Sequence, residues 1–260
     1  MRNRPNILTI AGFDPSSGAG LTADIKTFEA LKCYGLAVCT ANTIQNDTDF
    51  EECIWNDVEV IKSQISILFK KFNIDYVKIG IVENWKVLNE IIDFLLEKNN
   101  DVKIVLDPVL KSSSDFDFHS PNVSSSNPDL NSIKNHFEEV LKKIYLLTPN
   151  YEEIEMFYTN KTIEETVRHI SSKTNVFLKG GHRKEMLGKD ELFTNEGKYF
   201  VLNPKSKNIT EKHGSGCVVS SAITAQFALG FSLLKSCFRG KRYTEKVLSS
   251  NKTFLGYHNI

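Results

Sequence analysis

Short apolar runs alternate along the chain with stretches whose apolar side chains recur at helical spacing. The apolar runs cover residues 7–10, 36–39, 76–79, 104–106, 144–147 and 176–178. Helical spacing is found at Leu21, Ile25, Phe28 and Leu31, and again at Val58, Ile61, Ile65 and Phe69. Strands that alternate with crossover helices are typical of a mostly parallel sheet covered on both faces. The pattern therefore predicts an α/β fold.

Polar, glycine-bearing or proline-bearing segments follow directly after the apolar runs. These segments are residues 11–15, 44–46, 80, 107–108, 148–150 and 179–182. In open α/β sheets, ligands bind outside the carboxyl ends of the strands. We therefore expect the ends of these strands to line one site.

The segment 111–131 is rich in Ser, Asn, Asp and Pro and has neither apolar period, so it is predicted to be a loop. It begins just after a strand end, which makes it either a lid over the site or a plain surface insertion. Residues 191–193 and 198–201, separated by a turn containing Gly197, are predicted to form a β-hairpin. Ser232 is a candidate cap for the last helix. The sequence has no internal repeat, and residues 1–260 are expected to form a single domain.

The amino-acid composition limits the kinds of molecule that this protein is expected to bind. The chain is 41% hydrophobic and has 32 basic and 32 acidic residues, so no net field attracts nucleic acid or an anionic membrane surface. No apolar run approaches the roughly 20 residues that span a bilayer. The five cysteines are odd in number and scattered, which argues against a disulfide framework or a zinc site. We expect a cytoplasmic protein that acts on a small molecule.

The segment His213-Gly214-Ser215-Gly216-Cys217 carries the strongest chemical signal. Its two glycines allow a sharp turn before a buried helix, whose first amides could bind an anion. A glycine-rich helix entry that binds nothing is the alternative. Cys217 is placed in the first helical turn, where the helix dipole favours the thiolate and hence a proton-accepting role. Cysteine is not a usual general base, so this role is a hypothesis.

The loop at residues 12–20 joins the first strand to a helix that carries Asp24. It lacks the Gly-Lys-Ser/Thr ending of a phosphate-binding P-loop. Its small residues would instead let an organic ring approach the backbone, with Asp24 holding a polar group of that ring. The alternative is that Asp24 stabilises the first turn of the helix through the helix dipole.

Three charged residues follow other predicted strands. Asp107 and Glu153 are candidates for Mg²⁺ binding, since Mg²⁺ is usually held by one or two carboxylates together with phosphates and water. Lys179 precedes two glycines and could contact nucleotide phosphates, although a solvated lysine is the plainer interpretation.

These segments together resemble the hydroxymethylpyrimidine/phosphomethylpyrimidine kinases, the thiamin-pathway members of the ribokinase-like superfamily. The matching motifs, in the family's order, are 11–15 with 18–20 and 23–28, then 45–46, 107–109, 148–153, 179–182 and 213–217. Ser215 stands where the family has threonine. The resemblance implies a three-layer αβα ribokinase-like fold with a mostly parallel central sheet. It also implies ATP and Mg²⁺ as cofactors and a homodimer.

The resemblance further implies a role for each matching residue. Residues expected to hydrogen-bond the aminopyrimidine are Asp24 and Gln45, and those around its ring are Gly12, Ala19, Ile81 and Val109. Cys217 is the expected base, and the expected anion hole is formed by the amides of Gly214, Ser215 and Gly216. Mg²⁺ is assigned to Asp107 and Glu153. The nucleotide side is assigned to Asn150, Lys179 and Gly181.

The sequence departs from the family pattern in three places. Phe13 replaces a serine, Ile81 replaces a frequent methionine, and 111–131 lacks the usual Ser-Gly turn. Pyridoxal kinase, on the same scaffold, is the nearest alternative, although its main branch carries aspartate at the position of Cys217. Acyl transfer with Cys217 as nucleophile and His213 as base, or a non-catalytic binding protein, are further alternatives.

Overall fold

The computed structural model describes residues 4–110, 130–158, 160–181, 187–206 and 209–258, without the side chains of 130–134. The strands in this part of the chain are β1 (Asn6–Phe13), β2 (Tyr34–Gln45), β3 (Phe50–Trp55), β4 (Tyr76–Ile79), β5 (Lys103–Leu106), β6 (Leu146–Leu147), β7 (Asn175–Leu178), β8 (Asp190–Phe193) and β9 (Tyr199–Leu202). The helices are α1 (Gly20–Ala30), α2 (Val58–Phe69), α3 (Trp85–Lys98), α4 (Leu130–Lys143), α5 (Tyr151–Phe157), α6 (Ile163–Ser171), α7 (Ser215–Ala228) and α8 (Leu233–Leu248).

All the described strands belong to one sheet, in the order β3-β2-β1-β4-β5-β6-β7-β8-β9. The six strands from β2 to β7 in that order are parallel, and the three others pair antiparallel. The predicted mostly parallel sheet is therefore confirmed. Sequence analysis missed β3, because this edge strand leaves most of its side chains at least partly exposed and so has no continuous apolar run.

Two sets of helices cover the two faces of the sheet. Leu8 and Ile10 of β1 belong to a core shared with α2 to α6. Ile7 of the same strand faces the other way, towards a layer that contains α1 and α7, and Val105 of β5 packs in a cluster with residues of α7 and α8. This alternation along each strand produces three layers, so the predicted αβα architecture is confirmed.

Several local predictions can be compared with the structure. The hairpin is confirmed, with β8 and β9 paired antiparallel and Gly197 at a φ of 79° in the turn. Ser232 is the N-cap residue of α8 but makes no side-chain capping hydrogen bond. The loop predicted over 111–131 ends too late, because α4 already begins at Leu130. Residues 111–129 and His182 lie outside the described residues. None of the described helices is both long and apolar enough to cross a membrane.

Candidate active site

The turn before α7 requires glycine. Gly214 has a φ of 72°, and a Cβ there would lie 2.1 Å from the carbonyl oxygen of Gly18. The helix then begins at Ser215 and places Cys217 in its first turn, as expected. Among the described residues, the amides of Gly216 and Cys217 have no hydrogen-bond acceptor. The first turn of α7 therefore offers free donors to an anion.

Asp14 organises the loop between β1 and α1. Its buried carboxylate accepts hydrogen bonds from the amides of Ser16, Gly18 and Ala19 at 2.8, 3.0 and 2.8 Å. The Nε2 atom of His213 lies 3.0 Å from the same carboxylate. Burial acts to raise the pKa of Asp14, but these hydrogen bonds outweigh burial and lower it. One carboxylate thus ties the first glycine-rich loop to the turn before α7.

The residues expected around the substrate ring lie at neighbouring strand ends. A Cβ on Gly12 would lie 2.4 Å from Cδ1 of Ile81, so the end of β1 and the second residue after β4 are in close contact. Ala19 lies equally close to Gly214, because a Cβ on that glycine would be 2.6 Å from the Ala19 Cα. Val109 is half-buried and follows Asp107 by two residues.

Gln45 ends β2 and is linked to the end of β1 through a hydroxyl group. Its Nε2 donates to the Thr43 Oγ1 at 2.7 Å, and that hydroxyl donates to the Phe13 carbonyl at 2.8 Å. The half-buried Gln45 side chain is therefore held beside the β1–α1 loop.

Asp24 occupies a different place from the one expected. Its side chain is fully buried, and its two oxygens accept hydrogen bonds from Thr9 at 2.6 Å, Lys78 at 2.9 Å and Ser221 at 2.5 Å. Asp24 thus anchors β1, β4 and α7 to one another, and its burial leaves no exposed oxygen for the expected hydrogen bond with a substrate. The dipole alternative is also wrong, since the first turn of α1 contains no acidic residue.

A second carboxylate and lysine meet beside the first turn of α7. Asp107, also fully buried, lies 2.7 Å from the Lys179 Nζ and accepts a hydrogen bond from Ser220 at 3.2 Å. Burial acts to raise the pKa of Asp107, but the charges of Lys179 and Lys78 outweigh it and lower that pKa. Lys179 is 13% exposed and ion-paired, so it is not the freely solvated lysine of the alternative interpretation.

Glu153 and Asn150 cap α5 together. Glu153 lies in the first turn of this helix and not at a strand end as expected; its carboxylate accepts from the Asn150 amide at 2.6 Å, and its own amide donates to the Asn150 Oδ1 at 2.7 Å. Burial, with a further contribution from Asp107, raises the pKa of Glu153 to about 7 although Lys179 opposes this shift. Asn150 also pairs with Lys179 through the backbone, while Gly181 is exposed two residues further on.

The Asp107 and Glu153 carboxylates could hold Mg²⁺ together with ligand phosphates. Lys179 connects them, with its Nζ 2.7 Å from Asp107 and 3.8 Å from Glu153. No group of three or more metal-binding side chains occurs among the described residues. Two carboxylates completed by phosphate oxygens and water are a usual Mg²⁺ environment, so the residues fit this ion.

The expected low pKa of Cys217 is wrong. Burial raises the pKa of this thiol to about 11; the charge of Lys78 acts to lower it, and Asp107 and Asp24 act to raise it. His213 does not activate the thiol, because its Nε2 contacts Asp14 and its Nδ1 has no partner among the described residues. The pair needed for the acyl-transfer alternative is therefore not formed.

Sequence analysis missed the residues that support this site. They are Thr9, Asp14, Lys78, Ser220 and Ser221. Lys78 could have been singled out from the sequence, because it is the one charged residue inside the apolar run 76–79. The adjacent serines inside the apolar helix α7 are a weaker signal of the same kind. Their partners could not be deduced, because these lie on other segments.

The chain has the fold of the ribokinase-like class of kinases, with a mostly parallel sheet between two helical layers. The glycine turn before α7 and the adjoining carboxylate–lysine cluster agree with that class. Residues 14–259 match the family model described as phosphomethylpyrimidine kinase, and the chain belongs to that family. It is 34% identical to the hydroxymethylpyrimidine/phosphomethylpyrimidine kinase of Aquifex aeolicus over 259 residues, covering 96% of this chain and 97% of that one. The Salmonella typhimurium enzyme of the same name is 31% identical over 230 residues, covering 85% and 82%.

Solved structures agree on the fold. The phosphomethylpyrimidine kinase from Clostridium difficile 630 superimposes with a TM-score of 0.74 at 30% identity, covering 93% of this chain and 98% of that chain. Staphylococcus aureus pyridoxal kinase in complex with pyridoxal has a TM-score of 0.80 at 23% identity, covering 99% and 94%. The second likeness shows the fold alone.

Proposed function

We propose that this protein transfers a phosphoryl group from MgATP to the hydroxymethyl group of 4-amino-5-hydroxymethyl-2-methylpyrimidine, and then to the resulting monophosphate, in thiamin biosynthesis. Membership of the phosphomethylpyrimidine kinase family is the observation that carries this proposal. The free amides at the start of α7 and the Asp107–Lys179 pair beside them support it.

The substrate ring is assigned to the pocket at the ends of β1, β2 and β4. Gly12 and Ile81, which are in close contact there, are assigned to the ring together with Ala19 and Val109, and Gln45 supplies a hydrogen-bonding amide. The nucleotide is assigned to the opposite side of the α7 turn. Asn150, Lys179 and Gly181 follow adjacent strand ends there, so they can contact the phosphates.

Each residue near the reacting atoms has a role in phosphoryl transfer. Cys217 accepts the proton of the substrate hydroxyl in its thiolate form, which the raised pKa of this thiol makes the minor form at neutral pH. The substrate oxygen attacks the γ-phosphorus while the bond to the leaving ADP oxygen breaks. The amides at the start of α7 and the Lys179 ammonium stabilise the charge on the transferred group. Mg²⁺, when held by Asp107 and Glu153, neutralises phosphate charge.

A substrate panel tests this function. Purified protein with MgATP is given hydroxymethylpyrimidine, its monophosphate or pyridoxal, and ADP formation is measured. We expect the two pyrimidines to be preferred; a preference for pyridoxal would support the alternative kinase, and no ADP with any of them would contradict a kinase. Cys217→Ala should lose about 10² to 10⁴ in turnover yet still bind MgATP. Cys39→Ala, at a half-buried cysteine of β2, is the matched control.

We also propose a homodimer in the cytoplasm, on the strength of the family resemblance. Light scattering of the purified protein tests the dimer, and a monomeric mass at micromolar concentration would contradict it. Fractionation of cells that express a tagged chain tests the location.

A further inference from the structure

Lys212 places a buried positive charge directly before the turn that leads into α7. The residue is only 4% exposed, and Gly214 of the turn follows it by two positions. Burial lowers the pKa of Lys212, and no carboxylate of the described residues acts in the opposite direction. A buried charge without an opposite charge is costly, so the Lys212 ammonium group needs other compensating contacts.

Neutral oxygen atoms surround the Lys212 ammonium group in place of a carboxylate. Its Nζ donates to the Thr210 Oγ1 at 2.5 Å and to the carbonyl oxygens of Asn251 and Thr253 at 2.8 and 2.6 Å. An ammonium group has three N–H donors, so each donor finds an acceptor. Neutral oxygens replace the hydration shell of monovalent cations such as K⁺ in the same manner. We call these three oxygens the oxygen cage.

The oxygen cage joins the segment that precedes α7 to the loop that follows α8. Apart from the two Lys212 contacts with that loop, the Thr210 Oγ1 donates to the Asn251 carbonyl at 2.9 Å. The His213 amide donates to the Phe254 carbonyl at 3.0 Å. The residues immediately before the glycine turn are therefore attached to the loop after α8 by several hydrogen bonds, and the Lys212 ammonium group is at their centre.

The Lys212 backbone also takes part in the turn. Its carbonyl oxygen accepts a hydrogen bond from the Ser215 amide at 3.4 Å, across Gly214 with its φ of 72°. Leu255 of the loop after α8 contacts the β1–α1 loop, because a Cβ on Gly18 would lie 2.8 Å from its Cδ2. The position of the turn thus depends on a residue whose side chain is fixed in the oxygen cage.

We propose that Lys212 is a positioning residue, whose ammonium group occupies the oxygen cage as a built-in monovalent cation and thereby fixes the turn before α7 against the loop after α8. This inference rests on the proposed function, in which the amides of that turn stabilise the transferred phosphoryl group. Such donors act on charge that develops in the transition state. A displaced turn should therefore lower kcat more than it changes KM.

Lys212→Ala empties the oxygen cage and tests the proposal. In sodium chloride, kcat should fall by about 10- to 100-fold, as expected for a small displacement of groups that act on the transition state. The KM values for MgATP and the pyrimidine should stay nearly unchanged. Ammonium chloride should restore kcat with a saturable dependence, because NH₄⁺ has the N–H donors and the charge that the side chain supplied. Tetramethylammonium chloride at equal ionic strength should not, because this cation has no N–H donor. ADP is separated by chromatography and measured directly.

Two proteins serve as controls. The unaltered protein should respond equally to the three salts, because its oxygen cage is occupied. Lys252→Ala removes an exposed lysine from the same loop and should keep the kcat of the unaltered protein.

A lysine that merely supported the fold would affect the Tm of Lys212→Ala and not the kcat of the folded protein. An unchanged kcat, or a lowered kcat that NH₄⁺ restores no better than tetramethylammonium, would overturn the proposal. If Lys212→Ala does not fold, Lys212→Gln decides, because its amide keeps N–H donors for the fold but lacks the charge. A kcat of Lys212→Gln equal to that of the unaltered protein would likewise reject the role of Lys212.

Failure of this inference can be told apart from failure of the proposed function. Thermal unfolding needs no turnover, and NH₄⁺ should raise the Tm of Lys212→Ala while leaving that of the unaltered protein unchanged. If the substrate panel yields no ADP, the kinase is disproved, and the Tm response alone decides whether a cation occupies the oxygen cage. If ADP forms and NH₄⁺ raises the Tm of Lys212→Ala but its kcat is normal, only the positioning role of Lys212 is lost.

Discussion

Two buried carboxylate–lysine pairs contact α7. Asp24 and Lys78 are 2.9 Å apart and both side chains are 0% exposed, whereas Asp107 and Lys179 are 2.7 Å apart and the lysine is 13% exposed. Consecutive serines of α7 donate to the two carboxylates, Ser221 to Asp24 and Ser220 to Asp107. The helix that follows the Gly214 turn is therefore attached to both pairs.

The two lysines differ in how accessible they are from the solvent. Lys78 is sealed beneath α7, and its partner Asp24 is saturated by donors. Lys179 lies near a second carboxylate, Glu153, and a Cβ on Gly216 would be 3.3 Å from its Nζ. The same kind of ion pair is thus fully buried in one case and partly exposed in the other, and only the exposed pair could be reached by a ligand.

The largest expected effect is on stability, at the sealed pair. Lys78→Met should lower the free energy of unfolding by about 3 to 5 kcal/mol, because it leaves the Asp24 charge buried without its partner. Lys78→Met/Asp24→Asn should recover most of that loss. Urea unfolding measures both. If the double variant is no more stable than the single one, the stranded charge is not the cause.

The next effect is on turnover, at the open pair. Lys179→Met should lower kcat by about 10² to 10³, the usual range for losing one group that stabilises transition-state charge. Lys179 is 13% exposed, so its removal should let water solvate Asp107, and the loss of stability should be smaller than for Lys78→Met. Steady-state kinetics and urea unfolding of the same preparation separate the two. A variant with normal kcat would remove Lys179 from the nucleotide side.

The third effect is a pH dependence at Glu153. Its pKa of about 7 in the folded protein exceeds the ordinary value of 4.5 for a glutamate, so the native state binds the proton more tightly. This contribution to stability is complete below the unfolded pKa and is lost as pH rises to about 7. Metal-free protein should lose on the order of 3 kcal/mol across that window relative to Glu153→Gln. Parallel curves of stability against pH for the two proteins would contradict the shift.

The smallest expected effect is the loss of stability when either of the two serines of α7 is replaced by alanine. Ser221→Ala removes the 2.5 Å hydrogen bond to Asp24 and should cost about 1.5 to 3 kcal/mol, as expected for a hydrogen bond to a buried charge. Ser220→Ala should cost only about 0.5 to 1.5 kcal/mol, because the Ser220 hydroxyl lies 3.2 Å from Asp107 and also contacts carbonyls of its own helix. The reverse order in thermal unfolding would show that the two pairs do not differ as described.

Local patterns identified the parts of the fold that are buried on both sides. The predicted strand 76–79 coincides with β4, and Cys217 lies in the first turn of α7 as predicted. The edge strand β3 was not predicted, because an apolar run indicates a buried strand and the side chains of β3 are at least partly exposed. The structural role of Lys78 was missed for a related reason, because this residue lies inside an apolar run that was interpreted as a strand of the core.

The candidate site divides in a similar way. The glycine turn, Cys217, Asp107 and Lys179 were recognisable because each follows a strand end or begins a helix. The role of Asp24 and the ionisation of Cys217 were expected wrongly. Both depend on groups from other segments, and no local pattern reports the distance to such a group or the burial that it shares.

The sequence by itself determined the alternation of strands and helices, the glycine turn before α7 and the family to which the chain belongs. Only the tertiary structure decided that Asp24 meets Lys78, 54 residues away, and Ser221, 197 residues away. It also decided that burial raises the pKa of Cys217. The physical reason is that backbone conformation responds to neighbouring residues, whereas the energy of a buried charge depends on every group that the fold brings near it.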